Sequence, residues 1–95
     1  MLLAKALHFA ANQESLISYL RSRKLDVDKV HRTTITPLYK NEVFSGAEIF
    51  LDYGLKSGYN NDVYVTVSYK EAPEQFAVEA IMVDSGYRSH SIWPK

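Results

Sequence analysis

The chain of 95 residues contains no cysteine. That excludes a disulfide scaffold and any metal centre built on thiolates. Glycine and proline are scarce, at four and three, and the apolar share of 46% is that of a folding chain, so a disordered chain is not expected. The glycines never cluster, so no phosphate-cradling loop is present. No run approaches the roughly 18–20 apolar residues that a membrane helix needs. Neither sign of charge is in excess, since 11 basic and 11 acidic side chains cancel. Nucleic-acid-binding domains usually carry a basic excess, because neutralising phosphates drives their affinity. Its absence argues against nucleic acid as the partner and leaves only a local patch to do such work.

What remains is the composition of one globular domain over residues 1–95, because half of this length would bury too little surface to fold alone. The opening MLLAKALHFAANQ has no basic region before its apolar run, is interrupted by Lys5 and His8, and is followed by no small-x-small cleavage site. It reads as mature structure. With no cysteine and no Asn-x-Ser/Thr acceptor, a cytoplasmic protein is expected. Charge is uneven along the chain: residues 1–40 hold seven basic and three acidic side chains, and residues 41–87 hold two basic and eight acidic. A net charge near zero removes the self-repulsion that keeps small proteins apart, and favours association with a partner or a second copy.

The helical signal is firmest over residues 13–24, where Leu16, Ile17 and Leu20 fall at helical spacing. Asn12 is the N-cap candidate and Glu14 sits in the first turn. Arg21, Arg23 and Lys24 fall in the last turn, where the helix dipole favours cations. The alanines before Asn12 extend the pattern, and Leu3, Leu7, Ala10, Ile17 and Leu20 thread one face of a single helix from about residue 2 to 24. A first strand over LAKALHF is the alternative.

Strands follow. Val30–Tyr39 is rich in β-branched residues, with Pro37 marking an edge or an end. Ala47, Ile49, Leu51, Tyr53 and Leu55 alternate with Glu48, Phe50, Asp52 and Gly54. A turn region is expected from Gly54 through Asp62. Val63, Val65, Val67 and Tyr69 alternate with Tyr64, Thr66 and Ser68, the clearest period-two run in the chain. Glu71–Glu74 is a short hairpin connection, Phe76, Val78, Ala80 and Met82 form the next inward row, and Tyr87–Trp93 is a last strand. Short loops imply antiparallel neighbours. The expected fold is therefore α+β: a long N-terminal helix across a meander of four or five antiparallel strands, similar in arrangement to cystatin-like or helix-grip domains. Leu16, Leu20, Ile49, Leu51, Val65, Val67, Val78 and Ala80 are the expected core. No family motif is present.

Chemistry is thinly signalled. His8, His31 and His90 lie on three separate elements. Asp26-x-Asp28-x-x-His31 matches no metal spacing and reads as a solvated loop. Ser89 and His90 are strand neighbours that point to opposite faces, so they make no nucleophile–base pair. No carboxylate pair stands out for hydrolytic chemistry. The expectation is a non-enzyme with no cofactor and no metal. Arg21, Arg23, Lys24 and Arg32, with Lys29 and His31 nearby, form the one patch that could hold phosphates, although a solvated helix end is the plainer account.

The aromatics are the informative excess. With the helix on one sheet face, strand alternation sends Phe50, Tyr64, Thr66, Ile81 and Val83 to the other, with Glu79 at its margin. Glu48, Asp52, Asp62, Glu79 and Asp84 would rim that face with negative charge. An exposed apolar face marks a partner surface. The expected function is a small protein-binding domain of the inhibitor, antitoxin or immunity type, with a self-associating homodimer of structural or small-ligand-binding role as the alternative and nucleic-acid binding at the basic patch as the third reading.

Overall fold

The structure, a computed structural model, describes residues 2–25, 29–56, 59–85 and 88–93. Two helices, α1 (Leu2–Ala11) and α2 (Glu14–Ser22), precede five strands: β1 (Arg32–Lys40), β2 (Val43–Lys56), β3 (Tyr59–Lys70), β4 (Gln75–Ser85) and β5 (Arg88–Trp93). The strands form one antiparallel sheet in the order β1-β2-β3-β4-β5. The fold is α+β, with both helices on one face of the sheet. Among the described residues, no helix is long and apolar enough to cross a membrane.

The single long helix expected from residue 2 to 24 is two helices. The break falls at Asn12-Gln13, and their amides explain it. Asn12 Nδ2 donates to the His8 carbonyl at 2.8 Å, and Gln13 Nε2 donates to the Phe9 carbonyl at 2.9 Å. Both satisfy carbonyls left without partners at the end of α1. Asn12, expected to cap the second helix, thus closes the first, and Gln13 takes the N-cap position of α2 in an extended conformation.

Helix α1 buries Ala6 and Ala10, and α2 buries Leu16 and Leu20. Alanine at the contact lets a helix approach the sheet closely, since axial separation follows side-chain size. Against them stand Ala47, Ile49 and Leu51 of β2, Val63, Val65 and Val67 of β3, and Ile81 and Val83 of β4. The helices, 10 and 9 residues long, cannot span strands of 14 and 12 residues. Beyond α1 the same face is closed by rings. Phe9 meets Phe76 at 5.8 Å, Phe76 meets Tyr69 at 5.0 Å, Tyr69 meets Phe44 at 5.2 Å and Phe44 meets Tyr39 at 6.3 Å between centroids.

Four irregularities set which residues share a face, one of them the extra Ile92 of β5 between the pairings Met82↔Ser91 and Ile81↔Trp93. The pairings Leu38↔Gly46 and Tyr39↔Phe44 leave Ser45 as an extra residue in β2, so Phe44 joins Ala47 on the helix side. Gly46 is required there, because a Cβ would overlap the Val67 carbonyl oxygen. The pairings Thr66↔Ala80 and Val67↔Val78 leave Glu79 as an extra residue in β4. At Gly54, with φ of 75°, the amide donates to Asp52 Oδ1 at 2.8 Å. That local bond turns the chain without ending the strand, so the turn region expected over Gly54–Asp62 is mostly sheet. Asn61 is buried there and donates to the Gly54 carbonyl at 3.4 Å.

The Glu79 bulge overturns part of the expected register. Val78 and Phe76 do face the helices, but after the extra residue the phase reverses. Ile81 and Val83, assigned to the outer face from the sequence, are 1% and 0% exposed in the core. Met82, assigned inward, is 37% exposed, and Ala80, expected in the core, is half-buried opposite Thr66. The other expected core residues, Leu16, Leu20, Ile49, Leu51, Val65 and Val67, are buried.

This register separates two neighbouring substitutions. Ile81→Ala should cost about 2–5 kcal/mol through lost burial and an unfilled cavity, whereas Met82→Ala should cost less than about 1 kcal/mol. Urea denaturation of both variants measures the difference, and equal losses would contradict the bulge.

Candidate functional site

Both helices cover the inner face, and among the described residues no element covers the outer one. Strand pairing arranges that outer face in rows. One runs Thr34, Phe50, Tyr64, Met82 and Ser91 across all five strands. The next runs Arg32, Asp52, Asp62, Asp84 and Ser89. On the other side of the first row lie Thr36, Glu48, Thr66 and Ala80.

The centre of the face is aromatic. Phe50 and Tyr64 are cross-strand partners, and their rings stack with centroids 5.0 Å apart and planes 29° from parallel. Such pairs stabilise a sheet beyond the area they bury. Met82 continues the row on β4. Phe50, Tyr64 and Thr66, all half-buried, therefore sit together on the outer face as the sequence predicts. Ile81 and Val83 do not, being on the helix side. Glu79 is exposed at its bulge.

Beside the stack lies a line of like charge. Asp52, Asp62 and Asp84 face one another across adjacent strands, which puts them roughly 5 Å apart at the backbone. The one ion pair among the described residues of this row is Arg32 with Asp52, at 4.0 Å on the sheet's edge. Asp62, in the middle, is held above the usual carboxylate value of 3.8, first by partial burial and then by Asp52 and Asp84, with Arg32 opposing weakly. The Tyr64 hydroxyl is likewise raised, by partial burial and then by Asp62, Asp84 and Glu48. Of the five carboxylates named from the sequence as a rim, Asp52, Asp62 and Asp84 form a continuous row beside the stack, whereas Glu48 lies in the row with Thr66 and Glu79 at its bulge.

The remaining sequence candidates are dispersed. Arg21, Arg23 and Lys24 are exposed at the end of α2, whereas Arg32 is engaged by Asp52 on the outer face, so the four do not form one cluster. His8 and His31 are exposed on separate elements, and His90 lies edge-on to Tyr19, 6.4 Å between centroids. Among the described residues no group of three metal-ligating side chains assembles. Asp26 and Asp28 lie outside the described residues. A cleft of about 430 Å³ between α2 and β5, lined by Glu14, Ser15, Ser18, Tyr19, Ser22 and Ile92, contains none of the predicted site residues.

Sequence reasoning missed Met82 and the ring series from Phe9 to Tyr39. Neither Ser45 nor Glu79 announces a bulge, so the phase of Phe44 and Met82 could not be read. The signal for the ring series was the Asn41-Glu42 hairpin, whose two residues both have positive φ, at 52° and 66°. Compared with models of protein families, with curated proteins and with solved structures, the chain matches none.

The charge row makes a pH prediction. Because the folded state raises the pKa of Asp62 above 3.8, the folded chain holds that proton more tightly than the unfolded one. The stability it contributes is full below pH 3.8 and is lost as pH rises through the folded value. Asp62→Asn at low-micromolar protein should therefore stabilise the domain at pH 7, by about 0.2–1 kcal/mol. The gain should vanish below pH 3.8. Thermal melts across pH check this, and a variant less stable than wild type at pH 7 would contradict it.

Proposed function

We propose that the chain is a non-enzymatic protein-interaction domain whose outer sheet face is its binding surface. The observation that carries this is the Phe50–Tyr64 stack, placed at the middle of a face that no described element covers. Aromatic anchors at the centre of a patch, with charge at its margin, are the pattern of protein interfaces. Phe50, Tyr64, Met82 and Thr66 form the contact surface in this reading, and Asp52, Asp62 and Asp84 steer and orient the partner. The domain shares with cystatin-like, helix-grip proteins a layout in which a helical layer occupies one sheet face and leaves the other for use.

Phe50 and Tyr64 are half-buried and lie outside the core, so the surface can be removed without unfolding the domain. Replacing Phe50 and Tyr64 together with Ser should lower the melting temperature by roughly 4–16 °C, about 1–2 kcal/mol of lost cross-strand packing, and leave the domain folded. Immobilised wild type should retain, from an extract of its source cells, a protein partner or the endogenous chain that the double variant fails to retain. Identical recoveries on both would remove the basis for this function, as would a double variant that is unfolded.

A further inference from the structure

We propose that the occupant of the outer face is a second copy of this chain. The two sheets pack face to face about a two-fold axis lying across the strands, so that each strand runs antiparallel to its own copy. The inference rests on the reading of this face as a protein interface and names what covers it.

The face carries opposite charge at its two ends. At one end stand Asp52, Asp62 and Asp84 with a single Arg32. At the other, Tyr39 and Tyr69 turn their rings to the helix side, so the residues that follow them, Lys40 and Lys70, fall on the outer side. Their cross-strand partners there, Val43 and Gln75, carry no charge. Neither end complements itself, but each complements the other. On β3 the outer positions run Asp62, Tyr64, Thr66, Ser68 and Lys70. Rotation about an axis through Thr66 lays Asp62 of one copy over Lys70 of the other, twice, while at the β1 edge Arg32 falls over Lys40 and stays with its own Asp52.

The same rotation matches shape. Phe50, Tyr64 and Met82 form the bulky row on one side of Thr66, with Thr34 beside them on β1, and Gly46, Ser68 and Ala77 form the row on the other side, where Leu38 on β1 is the one large residue and falls over Thr34. Rotation sets the large row over the small one. Two sheets packed face to face stand about 10 Å apart, which interdigitated side chains fill. Four strands about 4.8 Å apart run the roughly 26 Å from Asp62 to Lys70, β5 reaching only as far as Ile81, and give a patch of about 500 Å² per copy. Two such patches come to about 1,000 Å², the size a specific interface must clear. A formal net charge of zero leaves no long-range repulsion between copies. Glu48, in the central row with Thr66, meets its own copy near the axis and opposes the assembly.

Charge exchange in the whole chain tests this by sedimentation equilibrium at low salt. Wild type should show a concentration-dependent monomer–dimer equilibrium. Asp62→Lys and Lys70→Glu should each weaken it by about tenfold or more. An equimolar mixture of the two variants should recover wild-type affinity, because both facing pairs of positions 62 and 70 are then opposite in sign, and so should the double variant. Glu48→Gln should tighten the dimer, and it provides a test that does not depend on the folding of Asp62→Lys. Wild type that stays monomeric at millimolar concentration, or single variants that dimerise like wild type, would overturn the proposal, as would a mixture that fails to recover. Binding of an apolar dye then separates the two levels. Dye bound by monomeric wild type and lost in the Phe50→Ser, Tyr64→Ser variant would overturn only the second copy as occupant. Dye binding unchanged by that variant would overturn the interface as well.

Discussion

Side chains along a strand alternate between two faces, and in this chain the helices cover only one of them. Each described strand residue from Arg32 to Trp93 is therefore assigned a role by its phase. What keeps the phase is not the sequence pattern alone but local devices that interrupt it, three of them in β2 and β4. Gly46 permits the close approach of β2 to the Val67 carbonyl beside the extra Ser45. Glu79 is the extra residue of β4. Gly54 bends β2 through its bond to Asp52. Remove the Glu79 bulge and Ile81 and Val83 would leave the core while Met82 entered it, exchanging a well-filled interior for an exposed one. Core and outer face are thus two consequences of one register, and neither can be altered by a slip without the other.

The bulges also explain why electrostatics and aromatic packing meet at Tyr64. Its strand neighbours on both sides keep register through this region, so Phe50 lies on one side, Met82 on the other, and the row of Asp52, Asp62 and Asp84 one step along the strands. Directly opposed like charges weaken a sheet, and partial burial against the rings raises the cost of ionising Asp62 and Tyr64. The stack and the charge row are not independent features that share a surface. Partial burial of the Asp62 carboxylate also reduces the solvent screening that would otherwise blunt repulsion from its neighbours.

Much of the fold was legible because its signals were period-two. Val63, Val65 and Val67 announce an inward row, and the outward position of Phe50, Tyr64 and Thr66 follows from it. The hairpin connection at Glu71–Glu74 is marked by Pro73. What could not be read depended on single residues without a compositional mark. Nothing in Glu79 distinguishes a bulge from an ordinary outward position, so the error at Ile81, Met82 and Val83 propagates from that one residue. The helix break was similarly hidden. The alanines before Asn12-Gln13 and the helical spacing of Leu16, Ile17 and Leu20 after it favour continuity, and only the tertiary fold shows the two amides closing α1. The acidic residues were visible singly, but their alignment across three strands is a property of register.

The same register sets the costs borne by the outer face. In a free monomer the phenyl ring of Phe50 and the side chain of Met82 contribute less by burial than they would in the core, and Asp62 opposes the fold at neutral pH. A surface shaped only by folding would place small polar or β-branched residues at these positions, as Thr34, Thr36 and Thr66 are placed around them. Local choices that conflict with the stability of the isolated fold mark a second requirement on the sequence. Here the conflicts are adjacent in space: an apolar stack that contact with another surface would bury, and carboxylates that a facing cation would relieve. An occupant that brings apolar surface and positive charge at the spacing of Tyr64 and Asp62 removes both costs together. Within this chain such a cation stands at the other end of the same face, where Lys70 lies one outward step beyond the small Ser68, the spacing at which Asp62 lies beyond Tyr64.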